Sequence, residues 1–115
     1  MTTAAEIAVE QRDGAVVARL TGEVDMTNAT YVGGELTRSV PNDATGLVVD
    51  LSGTRYLDSA AIELLFELAR RLGRRRQGLR LVLPSSSPLR RVLVLTEIHS
   101  VAPLHEELDA AISEL

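Results

Sequence analysis

Apolar and polar positions along this chain follow two rhythms, and they change over at glycine, proline and aspartate. Glu6 to Val9 and Ala15 to Leu20 read as strands, and the Asp13-Gly14 pair between them signals a tight hairpin. Thr21 to Asp25 breaks the pattern and offers a helix cap. Met26 to Val40 then fits a helix with Val32, Leu36 and Val40 on one stripe, although Gly33 and Gly34 each cost a helix about 1 kcal/mol. Pro41-Asn42-Asp43 ends it. Leu47 to Leu51 is an almost continuous apolar run, the mark of a strand covered on both faces. Ser52 to Asp58 reads as a loop. Ser59 to about Arg74 is the clearest helix, with Ile62, Leu65, Phe66, Ala69 and Leu72 as its apolar stripe.

Gly78 precedes a second buried strand, Leu79 to Leu83. After the loop Pro84 to Pro88, a helix runs to about Thr96, with Pro88 in its first turn. Val101 to Pro103 reads as a short strand. Leu104 to Leu115 reads as a terminal helix, with Leu104, Leu108 and Ile112 spaced by four. The predicted order is β-β-α-β-α-β-α-β-α. The strand–helix–strand units favour parallel pairing and the opening hairpin is antiparallel, so the fold class is α/β, a mixed sheet with packed helices. The chain of 115 residues reads as a single domain spanning 1–115, with no repeat or linker.

Composition narrows this picture. One Phe, two Tyr and no Trp leave the core to aliphatic side chains. Cysteine is absent, which removes disulfides, thiolate metal sites and thiol nucleophiles. The N-terminus lacks the basic and apolar regions of a secretory signal, and no apolar run approaches the roughly 20 residues of a membrane helix. The expectation is a cytoplasmic protein without membrane insertion, a monomer or weak dimer. The net charge of −4 gives no electrostatic reason to bind nucleic acid directly. The arginines at 70–71 and 74–76 read as a solvated helix face whose last cations oppose the helix dipole.

No catalytic constellation is visible. His99 and His105 lack a patterned carboxylate partner and read as surface or loop histidines. There is no glycine-rich phosphate loop, and the acidic residues have no metal-ligand spacing, so no enzyme activity, cofactor or metal is expected. The unusual place is Tyr56-Leu57-Asp58-Ser59, where a buried strand is followed by the best helix. Ser or Asp at a helix start is ordinarily a cap, worth about 1 kcal/mol. A phosphate on Ser59 would also suit the position, because it would face free N–H groups and the positive end of the helix.

At this point the chain resembles the STAS domains, in particular the bacterial anti-anti-sigma factors, also called anti-sigma factor antagonists. The residues that carry the resemblance are Leu20 to Asp25, Val48 to Ser52 followed by Tyr56 to Ser59, and Ser87 to Arg91. The resemblance implies partner switching. The unphosphorylated domain binds a kinase-type anti-sigma factor and releases a sigma factor. The kinase phosphorylates a serine on the domain and the complex dissociates. A metal-dependent serine phosphatase resets it. Ser59 falls at the family's phosphoserine position, Asp25 at a nearby acidic position and Asp58 just before the serine. The implied partner-binding face holds Glu23, Asp25, Asp58, Ser59, Ala60 and Ser87. Two departures stand out. Ala60-Ala61 replaces the usual Ser-Gly, which would put a methyl group where a partner approaches, and Glu97 replaces a helix-ending Gly, so that this helix is expected to finish another way.

Two other readings compete. One is a STAS subunit or regulatory domain of a membrane transporter, acting as a non-phosphorylated binding module. The other is a small enzyme or nucleotide-binding protein, which the missing phosphate loop disfavours.

Overall fold

The computed structural model describes residues 5–115, which form one six-stranded sheet: the strands lie in the order 5–12, 15–24, 46–50, 78–82 and 104–105, and 54–57 pairs with 15–24 off that path. Strands β1 (Ala5–Arg12) and β2 (Ala15–Val24) form the expected hairpin, and both are longer than the apolar pattern indicated. Asp13 and Gly14 both take positive φ, 53° and 83°, as a two-residue hairpin turn requires. Strands β3 (Gly46–Asp50) and β5 (Gly78–Val82) pair in parallel in the centre of the sheet.

The sheet separates two apolar layers. Alternate residues of β2 divide between them: Val16, Ala18 and Leu20 face one way, Ala15 and Val17 the other. The first layer is covered by α1 (Ala29–Arg38), α2 (Ser59–Arg74) and α3 (Leu89–Leu95), and the second by α4 (Leu108–Ser113). No helix among the described residues is long and apolar enough to cross a membrane.

The α/β class stands, with three changes of detail. Thr54–Leu57, expected in a loop, is the short strand β4. It has no alternating apolar pattern, and the pairing comes from its neighbour: β3 pairs with β2 over residues 16–19, and β4 continues beside β2 at 22–24. Thr54 is buried because its hydroxyl donates to the Leu20 carbonyl at 2.6 Å. Next, the last strand is not 101–103 but β6, Leu104–His105, so the terminal helix starts at Leu108 rather than Leu104. This pairing supplies acceptors to β5, whose Leu81 N–H reaches Pro103 O at 3.0 Å; beyond the strand's end, Leu83 N–H reaches His105 O at 2.9 Å. The spacing of Leu104 with Leu108 and Ile112 was therefore not helical periodicity. As a result His105 sits on a strand, its side chain only 11% exposed and 3.9 Å from Glu114.

The third change concerns α2. Its fully buried residues are Ala61, Ile62, Leu65, Leu68 and Leu72, while Phe66 and Ala69, expected on that stripe, are only partly buried. Helix α1 is shorter than 26–40 and keeps both glycines inside it. At Gly33 a Cβ would lie 2.6 Å from Leu64 Cδ1, so that glycine lets α1 and α2 approach closely.

Candidate functional site

Parallel strands end on a common edge, and the β2, β4 and β5 ends place the site there. Glu23 pairs with Tyr56 and Val24 with Leu57, after an irregularity at Gly22, which takes a φ of 99°. The Asp58 N–H donates to Val24 O at 3.2 Å, so the turn leaving β2 and the turn leaving β4 lie side by side.

One aspartate fastens these turns together and a second closes its own turn. Asp58 is the N-cap of α2, in extended conformation; its Oδ1 accepts from Ala61 N–H at 3.1 Å. Its Oδ2 accepts from Met26 N–H, also at 3.1 Å, across to the other turn. Asp25 works within its own turn. Its carboxylate accepts from the Thr27 N–H at 2.9 Å and from the Thr27 hydroxyl, and its backbone N–H donates to Asn28 Oδ1 at 3.0 Å. The Thr27 hydroxyl, then the Thr27 amide, hold the Asp25 carboxyl below its ordinary range, so the group is anionic near neutrality. Asn28 is buried and donates from Nδ2 to Glu23 O at 3.0 Å. Sequence reasoning missed Asn28 and Met26. The usable signal for the first was a polar pair three residues apart, Asp25 and Asn28, just before a helix.

Ser59 follows the cap as the first residue of α2. It is exposed, and its hydroxyl makes no hydrogen bond to a described residue. Capping is therefore done by Asp58, and the serine oxygen is left free. Ala60 is partly buried and lines a groove between α1 and α2 that begins at Met26 and ends near Arg70 and Arg71. Ala61 is fully buried in the core, so its extra methyl faces inward and does not meet a partner. Met26 is 78% exposed, an apolar side chain beside the two aspartates.

Glu23 is half-exposed and lies 3.9 Å from Arg55. Ser87 follows β5, on the same edge of the sheet, and its hydroxyl accepts from Leu89 N–H at 3.2 Å at the start of α3. No hydrogen bond or ion pair joins it to the Ser59 group among the described residues. The arginine run is largely occupied locally: Arg70 and Arg71 pair with Glu67, and Arg75 donates to Val40 O and Asn42 Oδ1. Those two arginines hold the Glu67 carboxyl below its ordinary range.

The STAS domain family model matches residues 6–111, and the chain belongs to that family. Among solved structures it is similar to an anti-sigma factor antagonist from Mycobacterium paratuberculosis, with 28% identity, a TM-score of 0.83, and 96% of this chain and 92% of that one covered. The unphosphorylated anti-sigma factor antagonist SpoIIAA shares the fold at 20% identity, a TM-score of 0.72, and 91% and 92% coverage. So does a sulfate transporter family protein from Wolinella succinogenes, at 15% identity, a TM-score of 0.73, and 90% and 85% coverage. No curated protein sequence matches the chain.

Proposed function

We propose that this chain is an anti-sigma factor antagonist that binds a kinase-type anti-sigma factor, releases a sigma factor, and is switched off by phosphorylation of Ser59. The observation that carries the reading is the free, exposed Ser59 hydroxyl at the start of a 16-residue helix, next to a cap that already satisfies the Ala61 N–H. An accessible nucleophilic oxygen can enter a kinase site without breaking any native bond. The resulting phosphate adds about −1.5 to −2 charges. It would stand among Asp58, Asp25 and Glu23, so a partner docked closely here would meet a dense patch of negative charge. A hundredfold loss of affinity corresponds to only about 2.7 kcal/mol. The domain acts by binding rather than by catalysis, and a serine phosphatase restores the hydroxyl. Its setting is the cytoplasm, where sigma factors work. A transporter-associated STAS module is the competing reading, and it has no use for a free phosphoacceptor.

The test pairs phosphopeptide mapping, after incubation with the cognate kinase and ATP, with partner affinity. Phosphate is expected on Ser59, with Ser85 and Ser86, which are also exposed, unmodified. Ser59→Ala should bind constitutively and Ser59→Asp more weakly. Phosphate on the 85–87 loop, or equal binding by both variants, would remove the switch.

A further inference from the structure

Strand β1 is an outer strand of the sheet, paired with β2 on one side and with no strand among the described residues on the other. Asp13-Gly14 is a two-residue turn, so Arg12 and Ala15 exchange both of their backbone bonds. The alternation then sends the N–H and C=O of Glu6, Ala8 and Glu10 towards β2 and those of Ile7, Val9 and Gln11 outwards. Natural edge strands are commonly blunted by proline, lysine, a bulge or a short length. This one runs for 8 residues in unbroken register, without proline or lysine. Val9, in its middle, is 48% exposed. The outward groups are a template for one more strand.

The side chains of β1 suit a second β1. Laid antiparallel on a two-fold axis at Val9, it pairs Val9 with Val9, Ile7 with Gln11, Ala8 with Glu10 and Glu6 with Arg12, and every outward N–H meets an outward C=O. Glu6 and Arg12 stand on the same face of the strand, an even number of residues apart. Arg12 reaches Asp109 at 2.9 Å, whereas Glu6 is exposed and has no ion pair among the described residues, so each copy brings Glu6 a cation. Glu10, held by its own Arg19 at 3.3 Å, is left opposite Ala8. The neighbouring registers that still match outward groups put the axis at residue 8 or residue 10. They set Glu6 against Glu10, or Glu10 against itself, and like charges directly opposite are destabilising. We infer that β1 is an isologous contact through which two copies of this chain associate, joining their sheets across Val9 with reciprocal Glu6–Arg12 pairs. One strand edge is at the small end of interface sizes, so the dimer is weak and concentration-dependent.

The chain has no cysteine, so one introduced thiol reports the register in the full chain. Residues that form a hydrogen-bonded pair across antiparallel strands have Cα atoms about 5.5 Å apart, within disulfide range. Val9→Cys should therefore cross-link two chains on mild oxidation at about 0.1 mM protein, where a dimer of millimolar Kd is already partly populated. In Gln11→Cys the two thiol positions lie about 14 Å apart along the strands, and cross-linking should be at least about tenfold slower. Both residues are exposed, so both variants should remain folded by circular dichroism. Sedimentation equilibrium up to about 1 mM should show the wild-type mass rising towards that of a dimer. Glu6→Arg, which sets two arginines against each other twice, should weaken association about tenfold. A wild type that stays monomeric at about 1 mM overturns the inference. So does cross-linking of Gln11→Cys as fast as Val9→Cys, or a Glu6→Arg variant that associates like wild type.

Discussion

At the residue scale, the two members of the Asp58-Ser59 pair have divided labour. Asp58 holds structure through both oxygens, on Ala61 N–H and Met26 N–H. Ser59 holds none. Asp58→Ala should therefore cost about 1–2 kcal/mol in urea unfolding, the loss of a cap plus a tie to the neighbouring turn. Ser59→Ala should change stability by less than about 0.5 kcal/mol, as exposed substitutions without partners do. The reverse order of the two losses would mean that Ser59 is the cap. The sequence showed both residues but not this division, because a cap is assigned by backbone angles and two adjacent cap-type residues look alike. A similar limit applied to Glu97. Its charge and size argued against the left-handed helix end that Gly supports, yet the chain adopts that conformation with glutamate in place, at φ 62°. The end of α3 is thus closed as a glycine would close it, and the expectation of another kind of ending does not hold.

At the element scale, the glycines separate packing from propensity. Gly46 lies on β3, where a Cβ would come 2.3 Å from Gly78 O and 2.9 Å from Gly78 N. Backbone cannot move away as a side-chain end can, so Gly46→Ala should destabilise by about 2–4 kcal/mol. Gly73 lies near the end of α2 with open space around its Cβ position. Gly73→Ala should gain up to about 1 kcal/mol from helix propensity alone. Thermal melts of both variants check the pair, and a neutral Gly46→Ala would show that β3 and β5 can separate locally. The same distinction explains α1. Counting Gly33 and Gly34 against the helix was right about propensity and silent about Leu64, whose contact with Gly33 belongs to tertiary structure. Strand β4 was invisible for the same reason, since Thr54–Leu57 is a strand only because β2 extends past the last pair with β3.

At the scale of the whole molecule, the parts legible in the sequence are those with a strong local period: the hairpin, the two buried strands and α2, together with the motifs that placed Ser59. The parts that were not legible depend on one element completing another, as β6 completes β5. This construction bears on how phosphorylation could act. Helix α2 is held to the sheet by five buried residues, from Ala61 to Leu72, and Ser59 lies outside that set, in solvent. A phosphate there disturbs no packed side chain. It meets the positive end of the helix, which is favourable, and the carboxylates of Asp58 and Asp25, which is not. These opposing effects act in solvent and are screened by salt. The fold should therefore survive modification, and the switch should act on the surface the partner meets. Phosphorylated and unmodified protein should melt within about 4 °C of each other, the shift for roughly 1 kcal/mol in a domain of this size. Amide exchange should change only near residues 23–28 and 58–61. A drop well beyond that, with exchange rising along all of α2, would mean that the phosphate works by loosening the helix instead.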